Sequence, residues 1–220
     1  MAHQRQPIKL YLFGYNSLQA AGWIVAIFML LSNLLSTKSI AGTFASAGEI
    51  IWILQTAAFL EVVHGAVGIL PSGVWLPFMQ WCGRTLFFLV TACEIVQVQD
   101  HPSLFITFLA WCLIEVIRYP FYALNTIGAC PHWLTYLRYT MFIPLYPIGV
   151  LGEMLLLNQA FPYMKEKNIF ANFFAGLPFS YYNVVQVVFV MYPFAWIKLY
   201  SHMLKQRGSK LGKRQEKKKK

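Results

Sequence analysis

Six apolar stretches constrain this chain more than anything else in it. A helix needs about 20 mostly apolar residues to cross the hydrocarbon core of a bilayer. Residues 18–35, 50–70, 78–98, 104–124, 139–157 and 181–200 each approach that length. The expectation is an all-α integral membrane protein, a bundle of six transmembrane helices forming a single domain over 1–220. Turn-forming or polar residues separate the spans: Ser36 to Lys38, Pro71 to Gly73, Gln99 to Pro102, Gly128 to Pro131, and 158–178. No internal repeat is visible, so an inverted-repeat transporter has no support in the pattern.

Composition agrees. Only 12% of the 220 residues are charged, about half the fraction of an ordinary soluble domain. Aromatics make up 17%, which suits lipid-facing and interfacial surface. The first apolar run is too long for the core of a cleavable signal and is expected to be the first span. Cys82, Cys93, Cys112 and Cys130 have neither metal-ligand spacing nor a disulfide framework, so they are expected to be small packing residues.

Six spans put both termini on one side. Ten lysines and arginines follow Ile197, and Arg5 and Lys9 precede the first span. The opposite loops hold only Lys38, Lys165 and Lys167, so the positive-inside rule places both termini in the cytosol. The basic tail, 207–220, has three readings: a solvated segment, a segment drawn to anionic lipid, or a retrieval signal. Lys217 and Lys218 stand fourth and third from the end, like the dilysine signal of endoplasmic reticulum proteins. The net charge of +10 lies mostly in this tail, so no nucleic-acid partner is inferred.

Four glutamates fall inside spans: Glu61, Glu94, Glu115 and Glu153. A charge at mid-membrane costs about 2.5–3.5 kcal/mol on insertion scales, so each needs a partner or a purpose. Glu115 and Arg118 are three apart and share a helical face, as do Glu61 and His64. Arg118 is therefore either neutralised by Glu115 or available to an anionic ligand near the cytosolic surface. Glu94 and Arg84 align on a face but stand too far apart to touch.

The segment "HGAVGILP" (64–71) has the outline of the tyrosine phosphatase signature without its chemistry. Gly65 stands where the nucleophilic cysteine belongs, and Pro71 where the phosphate-binding arginine belongs. Phosphatase chemistry is excluded there.

The segment "LYPIGVLGE" (145–153) puts a tyrosine and a glutamate seven residues apart, on one face and about 10.5 Å along the axis. Pro144 and Pro147 loosen the backbone, and Gly149 and Gly152 remove bulk beside the pair. Two readings stay open. One is an interfacial tyrosine and a packing glutamate on a kinked helix. The other is an acid–base pair beside a cavity opened by glycine.

With these motifs the chain resembles the 3-hydroxyacyl-CoA dehydratase family, the protein tyrosine phosphatase-like membrane proteins, and most of all its plant PASTICCINO type. The resemblance runs from about Tyr11 to Gln206. It rests on "LEVVHGAVGILP" (60–71), "EVIRYPFY" (115–122), "LRYTMFIPLYPIGVLGE" (137–153) and "HMLKQR" (202–207). It implies that Tyr146 and Glu153 are the catalytic pair. Proline in place of the phosphatase arginine is a family trait, whereas some relatives keep a cysteine at the position of Gly65.

The resemblance also implies an activity: loss of water from a very-long-chain (3R)-3-hydroxyacyl-CoA to give the trans-2-enoyl-CoA, the third step of fatty acid elongation. Such a lyase would reside in the endoplasmic reticulum membrane. It would work beside the condensing enzyme, the ketoacyl reductase and the enoyl reductase. Dehydration needs a base for the C2 proton and an acid for the departing hydroxyl, and neither step requires a metal or organic cofactor. Coenzyme A enters only as part of the substrate. Glu153 is the favoured base and Tyr146 the favoured acid, because the reverse needs a phenolate in low dielectric.

Depth suggests how such a substrate lies. With Arg138 at the cytosolic boundary, Tyr146 is about 12 Å and Glu153 about 22 Å down the fifth span. The polyanionic coenzyme A stays at the surface, its pantetheine arm threads inward, and the acyl tail occupies an apolar tunnel. Arg84, Arg118 and Arg138 are candidates for holding its phosphates. The rivals are a proton-coupled transporter using the four glutamates, and a non-catalytic scaffold of the elongation enzymes.

Overall fold

A computed structural model describes residues 6–70 and 73–212. Arg5 and the tail residues Lys217 and Lys218 lie outside them. Among the described residues the secondary structure is helical throughout: α1 (Gln6–Thr37), α2 (Thr43–Ala57), α3 (Phe59–Ala66), α4 (Trp75–Cys82), α5 (Val90–Glu94), α6 (Pro102–Thr126), α7 (His132–Arg138), α8 (Phe142–Lys167) and α9 (Tyr181–Arg207). Five helical runs among the described residues are long and apolar enough to cross a membrane: Gln6–Thr37, Thr43–Ala66, Pro102–Thr126, His132–Lys167 and Tyr181–Leu211. Between α4 and α5 the chain is π-helical over Gly83–Leu89, and this turn carries Arg84. π-Helical turns are rare and concentrate at functional positions.

Helix ends follow local chemistry. Pro102 sits in the first turn of α6, where no amide hydrogen is needed, and His101 accepts a hydrogen bond from the Ser103 amide. Ser180 and Asn183 cap α9 reciprocally. Asn168 ends α8 in the left-handed conformation, φ 43° and ψ 55°. The helix of the fifth expected span therefore runs to Lys167, ten residues past Leu157. Pro162 did not stop it, and the chain turns only where an asparagine accepts positive φ. The third expected span, 78–98, is not among the five runs: its helical run covers 75–94 and the backbone leaves the helix at Ile95 (φ −117°, ψ 88°), so Glu94 is an exposed end residue. The carbonyl of Glu94 accepts a hydrogen bond from Lys167 Nζ at 3.3 Å.

The central helix is α6, which packs mainly against α1 and α8. Trp23, Ala26 and Leu30 of α1 join Ala47 and Ile51 of α2 and Phe108 and Tyr119 of α6 in one buried core. Helix α9 is peripheral, burying only Tyr181 and Val185. A proline in α8 helps hold it. Pro147 has no amide hydrogen to give the carbonyl of Ile143 four residues back, and Tyr200 of α9 donates to that carbonyl at 3.1 Å. A group freed inside an apolar bundle thus finds its partner on the next helix.

Candidate active site

Two linked polar clusters lie within the bundle. The first is an ionic ladder across three helical segments: the π-helical turn, α6 and α3. Arg84 donates to Glu115 Oε1 at 2.6 Å, and Arg118 binds the other oxygen of Glu115. Arg118 also reaches Glu61, with Nη1 to Oε2 at 2.7 Å and Nη2 to Oε1 at 3.1 Å. Tyr119 donates to the same Glu61 oxygen at 2.6 Å. Glu115 is completely buried, with 0% exposure, so it survives as a charge only because two guanidiniums face it. The two acids and two arginines sum to zero charge.

The pairing of Glu115 with Arg118 follows the three-residue spacing. That of Glu61 does not: its partner is Arg118, across the bundle. His64 turns instead to the Tyr11 hydroxyl, 2.8 Å from Nε2, and packs edge-on against the Tyr11 and Tyr15 rings. Two of the three arginines singled out in the sequence are therefore occupied by carboxylates. Arg138 is not, among the described residues. It donates to the Tyr122 hydroxyl at 3.1 Å and lies over that ring, 5.6 Å from its centroid.

The second cluster surrounds Glu153, which is 5% exposed. Its Oε1 accepts from the Trp111 indole at 2.7 Å, and its Oε2 accepts from the Tyr192 hydroxyl. Among the described residues no cation bonds to it, although Arg84 acts on it electrostatically from its seat over the Trp111 ring, 4.9 Å from the centroid. Tyr146 lies two turns toward the start of α8. Its ring packs edge-on against Phe142 with centroids 6.0 Å apart, and Arg84, Arg138 and Glu115 all act electrostatically on its hydroxyl. The tyrosine that bonds to Glu153 is Tyr192 of α9.

Sequence reasoning missed Trp111 and Tyr192. Trp111 had a signal: with Glu115, Arg118 and Tyr122 it forms a polar-edged stripe at helical spacing on α6. Tyr192 had none, because its partner lies 39 positions away on another helix.

The glycines have a different use from the one expected. A Cβ on Gly152 would lie 2.7 Å from Thr107 Oγ1 and 3.1 Å from the Thr107 amide nitrogen, while one on Gly149 would meet only Ala110 at 3.5 Å. Gly152 opens no cavity. It lets α8 close onto α6, which brings Glu153 to Trp111. Gly152→Ala is expected to destabilise the protein by about 1–3 kcal/mol, the usual effect of overpacking, and Gly149→Ala much less. Thermal unfolding in detergent checks this, and equal midpoints for the two variants would refute it. The phosphatase-like segment is closed in a similar way: a Cβ on Gly65 would lie 2.4 Å from the Gly73 carbonyl oxygen, leaving no room for a cysteine.

The comparisons with known proteins point in one direction. The family described as "Protein tyrosine phosphatase-like protein, PTPLA" matches residues 55–213. Very-long-chain (3R)-3-hydroxyacyl-CoA dehydratase 2 of Homo sapiens is 33% identical over 215 residues, 95% of this chain and 84% of the relative. Very-long-chain (3R)-3-hydroxyacyl-CoA dehydratase 1 of Mus musculus is 32% identical over 199 residues, 88% of this chain and 70% of the relative. No solved structure matches. With a match across most of its length and relatives aligned along nearly all of it, the chain belongs to the protein tyrosine phosphatase-like (PTPLA) family.

Proposed function

We propose that this chain is a very-long-chain (3R)-3-hydroxyacyl-CoA dehydratase, a lyase of the fatty acid elongation cycle that forms the trans-2-enoyl-CoA. The observation that carries the site is the contrast among the carboxylates of the bundle. Glu61 and Glu115 are neutralised by arginines, whereas Glu153 is held by neutral donors alone among the described residues. A structural carboxylate is stabilised by a cation. One held by neutral hydrogen bonds keeps the freedom to gain and lose a proton.

In this reading Glu153 takes the C2 proton of the substrate. The electron pair of the C2–H bond becomes the C2–C3 double bond, the C3–O bond breaks, and Tyr146 protonates the departing hydroxyl as water. The scheme uses no metal or organic cofactor. The relatives named as dehydratases support it. Against a proton path, Glu94 is exposed at a helix end and two of the remaining three glutamates are locked in ion pairs. The test is conversion of a long-chain (3R)-3-hydroxyacyl-CoA to its enoyl-CoA by the purified chain in detergent; no product would overturn the proposal.

The proposal includes six crossings with both termini in the cytosol of an endoplasmic reticulum membrane. The sixth crossing is the helical run of α4, the π-turn and α5. One end of the run is near Gly65, through Gly73, and the other is near Lys167, through Glu94. A glycosylation acceptor inserted after Lys167 should be modified; an unmodified acceptor there would reverse the orientation. The condensing enzyme and the two reductases of the cycle are the proposed partners.

Of the three arginines, Arg138 is best suited to the coenzyme A phosphates, because Arg84 and Arg118 are engaged by carboxylates. Arg138→Gln is expected to raise KM for the thioester more than it lowers kcat, and more at low salt. An unchanged KM would leave Arg138 an anchor at the membrane surface.

A further inference from the structure

The grip on Glu153 comes from two helices other than its own. Trp111 lies on α6 and is only 2% exposed. Its ring is held by Phe108 and Phe88, with centroids 6.1 Å and 6.2 Å away, and by Arg84 above it. Tyr192 lies on α9 and packs edge-on against the same Phe88, with centroids 5.9 Å apart. One phenylalanine of the π-helical turn therefore supports both side chains that hold the carboxylate.

The two donors differ in chemistry. An indole N–H can only donate, whereas a phenolic hydroxyl can donate or accept. The indole serves a carboxylate oxygen in one fixed direction. The hydroxyl can donate to the ionised carboxylate and, once that oxygen carries a proton, turn and accept from it.

Resting on Glu153 as the proton-accepting group, we propose that Trp111 and Tyr192 are positioning residues for the dehydration. Trp111 fixes the plane of the carboxylate. Tyr192 keeps a hydrogen bond on it in both protonation states by reversing its own direction. Neither residue handles a substrate proton. Their effect appears in the rate of proton transfer and not in substrate affinity.

The experiment is a cycle of variants of the full chain in detergent, assayed with a long-chain (3R)-3-hydroxyacyl-CoA. Tyr192→Phe keeps the ring against Phe88 and removes only the hydroxyl. It is expected to lower kcat about tenfold, the scale of one hydrogen bond to a charged group, with KM within about twofold of the parent. Placed on Glu153→Gln, the same change is expected to alter the residual rate by less than about twofold, because the group it acts through is gone. Trp111→Phe should follow the same pattern, with thermal unfolding to register any loosening of the core. An unchanged kcat in Tyr192→Phe, or an equal loss in both backgrounds, would overturn the proposal. Wild-type turnover in Glu153→Gln alone would overturn the role of Glu153 itself, and this one with it; that result is distinguishable because it needs no second substitution.

Discussion

Replacing Glu153 with glutamine is expected to cut turnover by about 10²-fold or more, the usual contribution of a positioned acid or base, while the fold persists. The second half of that expectation comes from the surroundings of the side chain. Glutamine has nearly the same shape, and its amide oxygen can still accept from the Trp111 indole. Its NH2 group can donate to Tyr192 once that hydroxyl turns. No buried partner is orphaned, and one charge leaves a site where no cation bonds to it among the described residues. Tyr146→Phe should lower turnover to a similar degree, because its ring contact with Phe142 stays in place. The measurement is kcat beside the thermal midpoint for each variant. A variant with near-normal turnover would remove that residue from the chemistry.

How much of this was legible in the sequence depends on the range of the interaction. Apolar length marked five helical runs long and apolar enough to cross a membrane, because a bilayer imposes its thickness on any helix that crosses it. The pairing of Glu115 with Arg118 was legible because three residues of helix bring side chains together. The rest of the ladder was not. Arg84 with Glu115 and Glu61 with Arg118 join separate helices, and periodicity along one helix cannot choose a neighbour on another. The end of α8 was misplaced for a similar reason. A polar, proline-containing stretch looks like a break, yet Pro162 sits within the helix and Asn168 ends it.

The motif around Glu153 shows the same division. The spacing gave Tyr146 and Glu153 a common face but not their surroundings. Gly152 was expected to leave space, and the space is filled by Thr107. Pro147 was expected to weaken its helix, and the carbonyl it frees is taken by Tyr200. In both cases the neighbouring helix supplies what the sequence of α8 lacks.

Arg118→Gln is expected to be the most damaging single change to the fold. It leaves Glu61, Glu115 and Arg84, a net charge of −1, where the ladder summed to zero. Glu115 keeps Arg84, but Glu61 loses both of its charged hydrogen bonds and, among the described residues, retains only Tyr119. Breaking a buried ion pair from one side typically costs about 3–5 kcal/mol, because the remaining charge has neither water nor a counterion. The variant should accumulate poorly and unfold well below the parent in detergent. Adding Glu61→Gln to it restores neutrality, with Arg84 and Glu115 still paired, so the double variant should be more stable than the single one. That order separates charge balance from packing, since two substitutions disturb packing at least as much as one. If the double variant were the less stable, the ladder would matter for its shape, and the neutralisation argued here would be wrong.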